Sequence, residues 1–366
     1  VRRTAVWSAA RRAGTVGLLA ALAAVLSGSS CAPPQPPRGE PRAAPRATAV
    51  GSVLFLDGRP WWPTGLNAYQ LATDWGINAG CGAEVDLDAY FSALPDRSLT
   101  RFNAFQNLAV NKHTGELDFT TIDRVVAAAE RHDQMILPVL AGQDGACDDE
   151  VFKQRDWYLG GWTRPGALPL SHRDWVAAAV GRWSGSPVIA AWEPVGEPEP
   201  SVCSGDDCSL AARTCPADSD RVLREWTDEV GRVIRGQDPG RLITAGVIGG
   251  DQCGIAGDGY TLLADSPFVD VLQYHDYDDA AWLPQRLDEV DAPVLVAEVG
   301  LRAGSCNPLD GRADRLAARL DGYRTVGAAG AMLWAFVPDP RPDECTFDIG
   351  PGDPILAHAA MQPGLG

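Results

Sequence analysis

Two glutamates, Glu197 and Glu298, stand at the ends of short apolar runs, and that placement raises a chemical question. In Trp192-Glu193-Pro194-Val195-Gly196-Glu197-Pro198, Glu197 follows the apolar stretch 188–191. In Pro293-Val294-Leu295-Val296-Ala297-Glu298-Val299-Gly300, Glu298 interrupts an otherwise apolar run. A carboxylate there is costly to bury, so it needs partners or a task. Taken singly, each has a plainer reading. Glu197 could be a solvated acid in a segment that also holds Glu199, Asp206 and Asp207, and Glu298 could pair with an interior arginine such as Arg101. Taken together, two carboxylates from distant segments suit glycoside hydrolysis, in which a neutral acid protonates the leaving oxygen and an ionised carboxylate attacks the anomeric carbon. A gap of roughly 5–5.5 Å between them gives retention, and one of about 6.5–9.5 Å gives inversion.

Such a pair needs a scaffold that brings distant segments to one place. Short apolar runs predict strands over residues 62–67, 99–105, 135–140, 188–193, 242–246, 269–274, 294–298 and 331–336. Amphipathic spacing predicts helices between them, over 121–131, 174–183, 221–235 and 312–326. Strands alternating with helices indicate an α/β chain. The count points to a single-domain (β/α)8 TIM barrel, with an open doubly wound sheet as the alternative. No GxGxxG or P-loop follows the first strand, which weakens that alternative. In such barrels chemistry sits where strands end. The residues there are Asn67, the segment 101–105, Glu197, His275 with Tyr277, Glu298 and Trp334.

In that order the motifs resemble glycoside hydrolase family 5, in the clan A barrel hydrolases of cellulase and mannanase type. The resemblance runs from about residue 54 to residue 338. Phe55-Leu56-Asp57-Gly58-Arg59-Pro60 with Gly65-Leu66-Asn67 is similar to the family's entry strand, and Thr100-Arg101-Phe102-Asn103 to strand two. Trp192-Glu193 with Glu197-Pro198 resembles the acid/base motif, and His275 and Tyr277 the strand-six pair. Glu298-Val299-Gly300 resembles the nucleophile motif, and Leu333-Trp334 the strand-eight tryptophan. The resemblance implies a retaining hydrolase with Glu197 as general acid/base and Glu298 as nucleophile. Arg101 would then hold Glu298 ionised, since an opposite charge lowers a carboxyl pKa. Glu197 would have a raised pKa for its role as acid. Tyr277 would hydrogen-bond the nucleophile, His275 would contact the acid/base or a sugar hydroxyl, and Trp334 would stack on a sugar face. Trp75, Trp157, Tyr158 and Trp162 are further loop aromatics for neighbouring subsites.

One position departs from the family pattern. Gly196 stands where the family has an Asn that hydrogen-bonds the sugar 2-hydroxyl, and Gln143 lies near where a strand-three His is usual. The reactive sugar is then either an ordinary β-mannan or β-glucan unit or a furanoside, such as galactofuranose in a cell-envelope polymer. A catalytically impaired carbohydrate-binding lipoprotein and a transglycosylase on the same scaffold are the competing functions.

The chain has 366 residues and a net charge of −17, which argues against a nucleic-acid partner. Residues 1–31 read as an export signal: Arg2, Arg3, Arg11 and Arg12 precede an apolar stretch and then Cys31. Lipidation of Cys31 would anchor the protein to a membrane; plain secretion is the alternative. Residues 32–49 read as a disordered Pro/Ala/Arg tether, and 50–366 as the catalytic domain. Beyond Cys31, eight cysteines remain of nine, an even number that suits disulfides in an exported chain. All eight fall in segments after strands, and Cys306–Cys345 is the preferred pair. No cofactor or metal is expected, and a monomer acting on carbohydrate outside the cytoplasm, secreted or held at the bacterial envelope, is.

Overall fold

The alternation of apolar runs and amphipathic segments resolves, in a computed structural model described over residues 44–277 and 281–365, into a parallel eight-stranded barrel. Three antiparallel strands come first: β1 (Ala47–Val50), β2 (Val53–Leu56) and β3 (Arg59–Trp62). The barrel strands are β4 (Thr64–Asn67), β5 (Leu99–Asn103), β6 (Met135–Val139), β7 (Ala191–Trp192), β8 (Leu242–Ala245), β9 (Val271–Asp276), β10 (Val294–Gly300) and β11 (Gly330–Trp334). Hydrogen-bonded neighbours run β6-β5-β4-β11-β10-β9-β8-β7, and the ring closes through the parallel bridges Ile136↔Ile189 and Val139↔Glu193. A last strand, β12 (Gly364–Leu365), pairs with β3.

Eight α-helices intervene: α1 (Leu87–Ser92), α2 (Thr120–Arg131), α3 (Arg155–Tyr158), α4 (His172–Trp183), α5 (Ser219–Gln237), α6 (Gly259–Ala264), α7 (Leu283–Glu289) and α8 (Leu309–Val326). The four expected helices correspond to α2, α4, α5 and α8. The helix α4 is capped by Ser171, whose hydroxyl accepts from the Asp174 amide. The eight expected strands are all present with shifted ends. The run 62–67 splits at Pro63, so Trp62 belongs to the antiparallel sheet and the barrel strand starts at Thr64.

The expected export signal, Cys31 and the tether as far as residue 43 lie outside the described residues. The strand β1 begins ahead of the domain start expected at residue 50: Ala47 is buried in the core and Ala49 packs against it, while Thr48 and Val50 are exposed. Among the described residues, no helix is long and apolar enough to cross a membrane.

Two apolar clusters position the site. The larger lies between helices and strands. The smaller fills one end of the barrel, where Leu56 and Trp61 from the antiparallel sheet meet Leu99, Met135, Leu137, Ala297 and Met332. Strand residues alternate across the sheet, so on β5 Leu99 enters this plug and Arg101, two residues on, also faces inward but nearer the mouth. The apolar plug thus closes the bottom and leaves the C-terminal end for polar groups.

Replacing Leu56, fully buried in the plug, with Ala should cost about 2–5 kcal/mol. Urea unfolding of the variant measures this, and a loss below about 1 kcal/mol would show that the sheet does not seal the barrel.

Candidate active site

At the mouth, Arg101 lies between two carboxylates. Its Nε and Nη2 donate to Glu193 Oε2 and Oε1 at 2.8 and 2.7 Å, and its Nη1 donates to Glu298 Oε1 at 2.6 Å. All three groups are buried. A guanidinium fork suits this geometry, because two parallel N–H bonds orient one carboxylate and a third N–H remains for the other. Burial works against the Arg101 charge, but Glu193 and Glu298 outweigh it and raise its pKa.

Asn67, at the end of β4, is part of the same support. Its Oδ1 accepts from Arg101 Nη1 at 2.9 Å, and its Nδ2 donates to the carbonyls of Ala297 and Leu333. It ties β4 to the strand that carries Glu298. The sequence did not mark a role for Glu193, although a Glu directly after the apolar run 188–192 asks for a buried partner. Gln273 was also missed. Its Nε2 donates to Glu193 Oε2 at 2.7 Å, and its Oε1 lies 3.2 Å from His275 Nε2. Only the inward side of β9 brings it there, so no local signal was available.

His275, from the same strand, joins the two site glutamates. Its Nδ1 lies 2.7 Å from Glu197 Oε1 and 3.6 Å from Glu298 Oε2. One oxygen of each glutamate and one ring nitrogen lie within 4.8 Å of one another. The Tyr277 hydroxyl donates to Glu298 Oε2. These atoms also lie within the span of a metal's ligands, but Glu298 is already bound by Arg101 and Tyr277, and the Arg101 charge would repel a cation beside it.

The local backbone presents Glu197. Its φ is +58°, a left-handed conformation uncommon for a residue with a side chain. That geometry costs about 1–3 kcal/mol and persists only where the surroundings hold it. Here the Glu197 amide donates to the Gly246 carbonyl at 2.7 Å, and Gln252 Nε2 donates to the Glu197 carbonyl at 3.0 Å. The carboxyl is turned into the cleft, with 39% of the side chain exposed against 5% for Glu298.

The protonation pattern corrects the expected one. Burial pushes Glu298 above the usual carboxylate range despite His275 and Arg101. Burial also pushes at Glu197, but the hydrogen bond and charge of His275 outweigh it and hold that carboxyl low. Burial opposes the imidazolium, yet Glu298 and Glu197 raise His275 above 6.5. Both ring nitrogens face oxygen atoms, as a doubly protonated ring requires. The shifts thus favour a proton on His275 over one on Glu197, to which the ring is hydrogen-bonded. The three groups titrate as a unit.

The cleft has a volume of about 520 Å³ and is lined by Tyr69, Arg101, Asn103, Gly196, Glu197, Tyr277, Glu298 and Trp334, among others. Trp334 is half-buried, and Tyr69 stacks near it with centroids 5.8 Å apart at 17°. Tyr69 was missed, although it lies two residues beyond β4 where the strand-end rule applies. Gly196 lines the wall with no side chain. Of the loop aromatics, Tyr158 and Trp162 are buried and pack with Trp157 around Trp226 of α5. Their apolar area is worth more in the loop's own core than at a wet subsite. Trp75 is exposed, with Lys112 over its ring, and does not line the cleft. Gln143 does line it, but its amide is spent on the Lys153 and Glu199 carbonyls.

All eight cysteines beyond Cys31 are paired: Cys81–Cys147, Cys203–Cys208, Cys215–Cys253 and Cys306–Cys345. The first lies in the cleft wall and ties the loop after β4 to that after β6. The last is the expected pair, between the loops after β10 and β11.

Removal of the His275 ring has a calculable sign. In His275→Gln the shared proton has only the two carboxyls, Glu197 and Glu298, to rest on, and they hold it less tightly than this imidazole. The alkaline limb of the kcat/KM profile should therefore move to lower pH. A limb that stays in place would show that His275 does not hold the proton.

No family model matches the chain. The probable mannan endo-1,4-β-mannosidase C of Aspergillus terreus is 26% identical over 255 residues, covering 62% of this chain and 59% of that protein. Mannan endo-1,4-β-mannosidase A of Hypocrea jecorina is 25% identical over 230 residues, covering 56% and 47%. The chain thus matches roughly half the length of these relatives. Among solved structures, the endo-1,4-β-mannanase of Rhizomucor miehei has a TM-score of 0.62 at 17% identity, covering 85% of this chain and 96% of that one. The endo-β-1,4-mannanase of Thermotoga petrophila has a TM-score of 0.60 at 17% identity, covering 83% and 76%. At such identities the structural likeness is one of fold. Together with the sequence relatives, it makes the chain similar to endo-β-mannanases, with which it shares the (β/α)8 barrel.

Proposed function

We propose that the chain is a retaining glycoside hydrolase that cleaves a β-linked polysaccharide or oligosaccharide by double displacement. The observation that carries this reading is the approach of Glu197 and Glu298, with one oxygen of each within 4.8 Å. That spacing suits retention, since no water fits between carboxyl and sugar as inversion requires. Glu298 attacks the anomeric carbon while Glu197, with the proton drawn from His275, protonates the leaving oxygen. Glu197 then takes a proton from water, which displaces Glu298 and releases the sugar with its original configuration. Arg101 and Tyr277 hold the Glu298 oxygens in place for the attack.

β-Mannan is the favoured substrate, supported by the names of the sequence relatives, and β-glucan is its near neighbour. A galactofuranan rests on the bare wall at Gly196 alone. The presence of both glutamates with Arg101 and Tyr277 favours an active enzyme over an impaired binding protein, and product analysis on oligosaccharides separates hydrolysis from transglycosylation. The proposed location is outside the cytoplasm, at the cell envelope or secreted. The four disulfides support an oxidising compartment.

Turnover of mannan and an aryl β-glycoside panel tests the reading. Glu298→Ala should lower kcat/KM by roughly a thousandfold or more. Proton NMR should show the β-anomer as first product. Turnover unchanged in Glu298→Ala, or an α-anomer first, would overturn the mechanism.

A further inference from the structure

We propose that Asn103 determines specificity at the reactive sugar by hydrogen-bonding its 2-hydroxyl. This rests on the glycosidase reading above and goes beyond it, because it names a contact to one hydroxyl.

Most of the polar side chains in the cleft are already committed. Gln143 serves two carbonyls, Gln252 holds the Glu197 carbonyl, Glu199 pairs with Arg213, and Tyr277 donates to Glu298. Among the described residues, the Asn103 amide has no hydrogen-bond partner, and it lines the cleft at intermediate burial. A free amide on a concave wall beside two reacting carboxyls is a ligand-facing group.

Its place follows from the strand. Asn103 lies two residues beyond Arg101 on β5, on the same face and one layer closer to the mouth. Arg101 reaches the Glu298 oxygen, and Asn103 lines the same cleft as Glu298, so a sugar seated for attack would present a hydroxyl next to its anomeric carbon within that wall's reach. Asn103 is also the ladder partner of Val139. A Cβ at Gly196 would lie 3.4 Å from Val139 Cγ1 and 3.0 Å from Arg101 Nη2. The strand-four wall therefore offers no side chain to the sugar at this level, and Asn103 flanks the gap. Hydrogen bonds to the 2-hydroxyl strengthen in the oxocarbenium-like transition state, so a residue placed here acts on kcat as well as on KM.

The test compares wild type and Asn103→Ala on 4-nitrophenyl β-mannobioside and on the analogue lacking the 2-hydroxyl on the ring bearing the nitrophenyl group. On the parent substrate Asn103→Ala should lower kcat/KM about 10–100-fold, with most of the loss in kcat. On the 2-deoxy analogue the two enzymes should agree within about threefold, since the contact is already gone. Asn103→Asp, which keeps an acceptor, should recover part of the loss, and thermal unfolding should confirm that each variant is folded. An equal loss on both substrates, or none on either, would overturn the assignment. Absence of wild-type turnover would instead sink the β-mannoside reading, and turnover that survives Glu298→Ala would sink the glycosidase mechanism.

Discussion

The site depends on one buried cation. Arg101 is taken out of water together with Glu193 and Glu298, and removing an ion from water costs several kcal/mol in a protein interior. Only close geometry offsets that cost, and the fork bonds at 2.6–2.8 Å supply it. The consequence is rigidity where the chemistry needs it. Glu298 cannot rotate without leaving a buried guanidinium unpaired. The same demand reaches the next strand. Glu193 occupies so much of the space beside Gly246 that a Cβ there would lie 2.1 Å from Glu193 Oε1. A residue chosen for its missing side chain thus serves a charge carried on β5.

From that pair a chain of hydrogen bonds crosses the mouth. Glu193 orients Gln273, Gln273 faces the His275 ring, and His275 meets Glu197. The two site glutamates therefore differ in their surroundings, Glu298 being buried and Glu197 open to the cleft. Glu298 is held by fixed donors on two sides. Glu197 is held by a group that itself gains and loses a proton. This asymmetry is what a double displacement needs, because one carboxyl must stay in place as a nucleophile while the other exchanges protons at every step. The lowered affinity of Glu197 is compatible with its proposed role, since the ring that favours the proton is one hydrogen bond away.

The barrel supplies positions, and the loops supply shape. The apolar plug from the N-terminal sheet closes the bottom, so the polar groups gather at the other end. Disulfides then join loops that leave different strands: after β4 and β6, after β7 and β8, and after β10 and β11. Long loops lose much entropy on ordering, and cross-links reduce that loss by restricting the unfolded chain.

The sequence by itself determined the scaffold and the two acids. Periodicity marks the eight strands, because a strand buried on both faces needs a continuous apolar run, and each interruption by a carboxylate stands out. Asn67, Arg101, His275, Tyr277 and Trp334 were legible through the strand-end rule, as was one disulfide through the adjacency of the last two loops. Tertiary structure alone decided what those residues touch. Glu193 and Gln273 face the barrel interior, and their partners lie on other strands. Tyr158 and Trp162 look like sugar platforms in the sequence yet are buried against α5, because aromatic residue type does not specify which surface covers the ring. The order of proton affinities was also beyond the sequence, since it turns on which carboxyl the His275 ring contacts. Local pattern encodes where a strand ends; which charges then meet is settled by closure of the barrel.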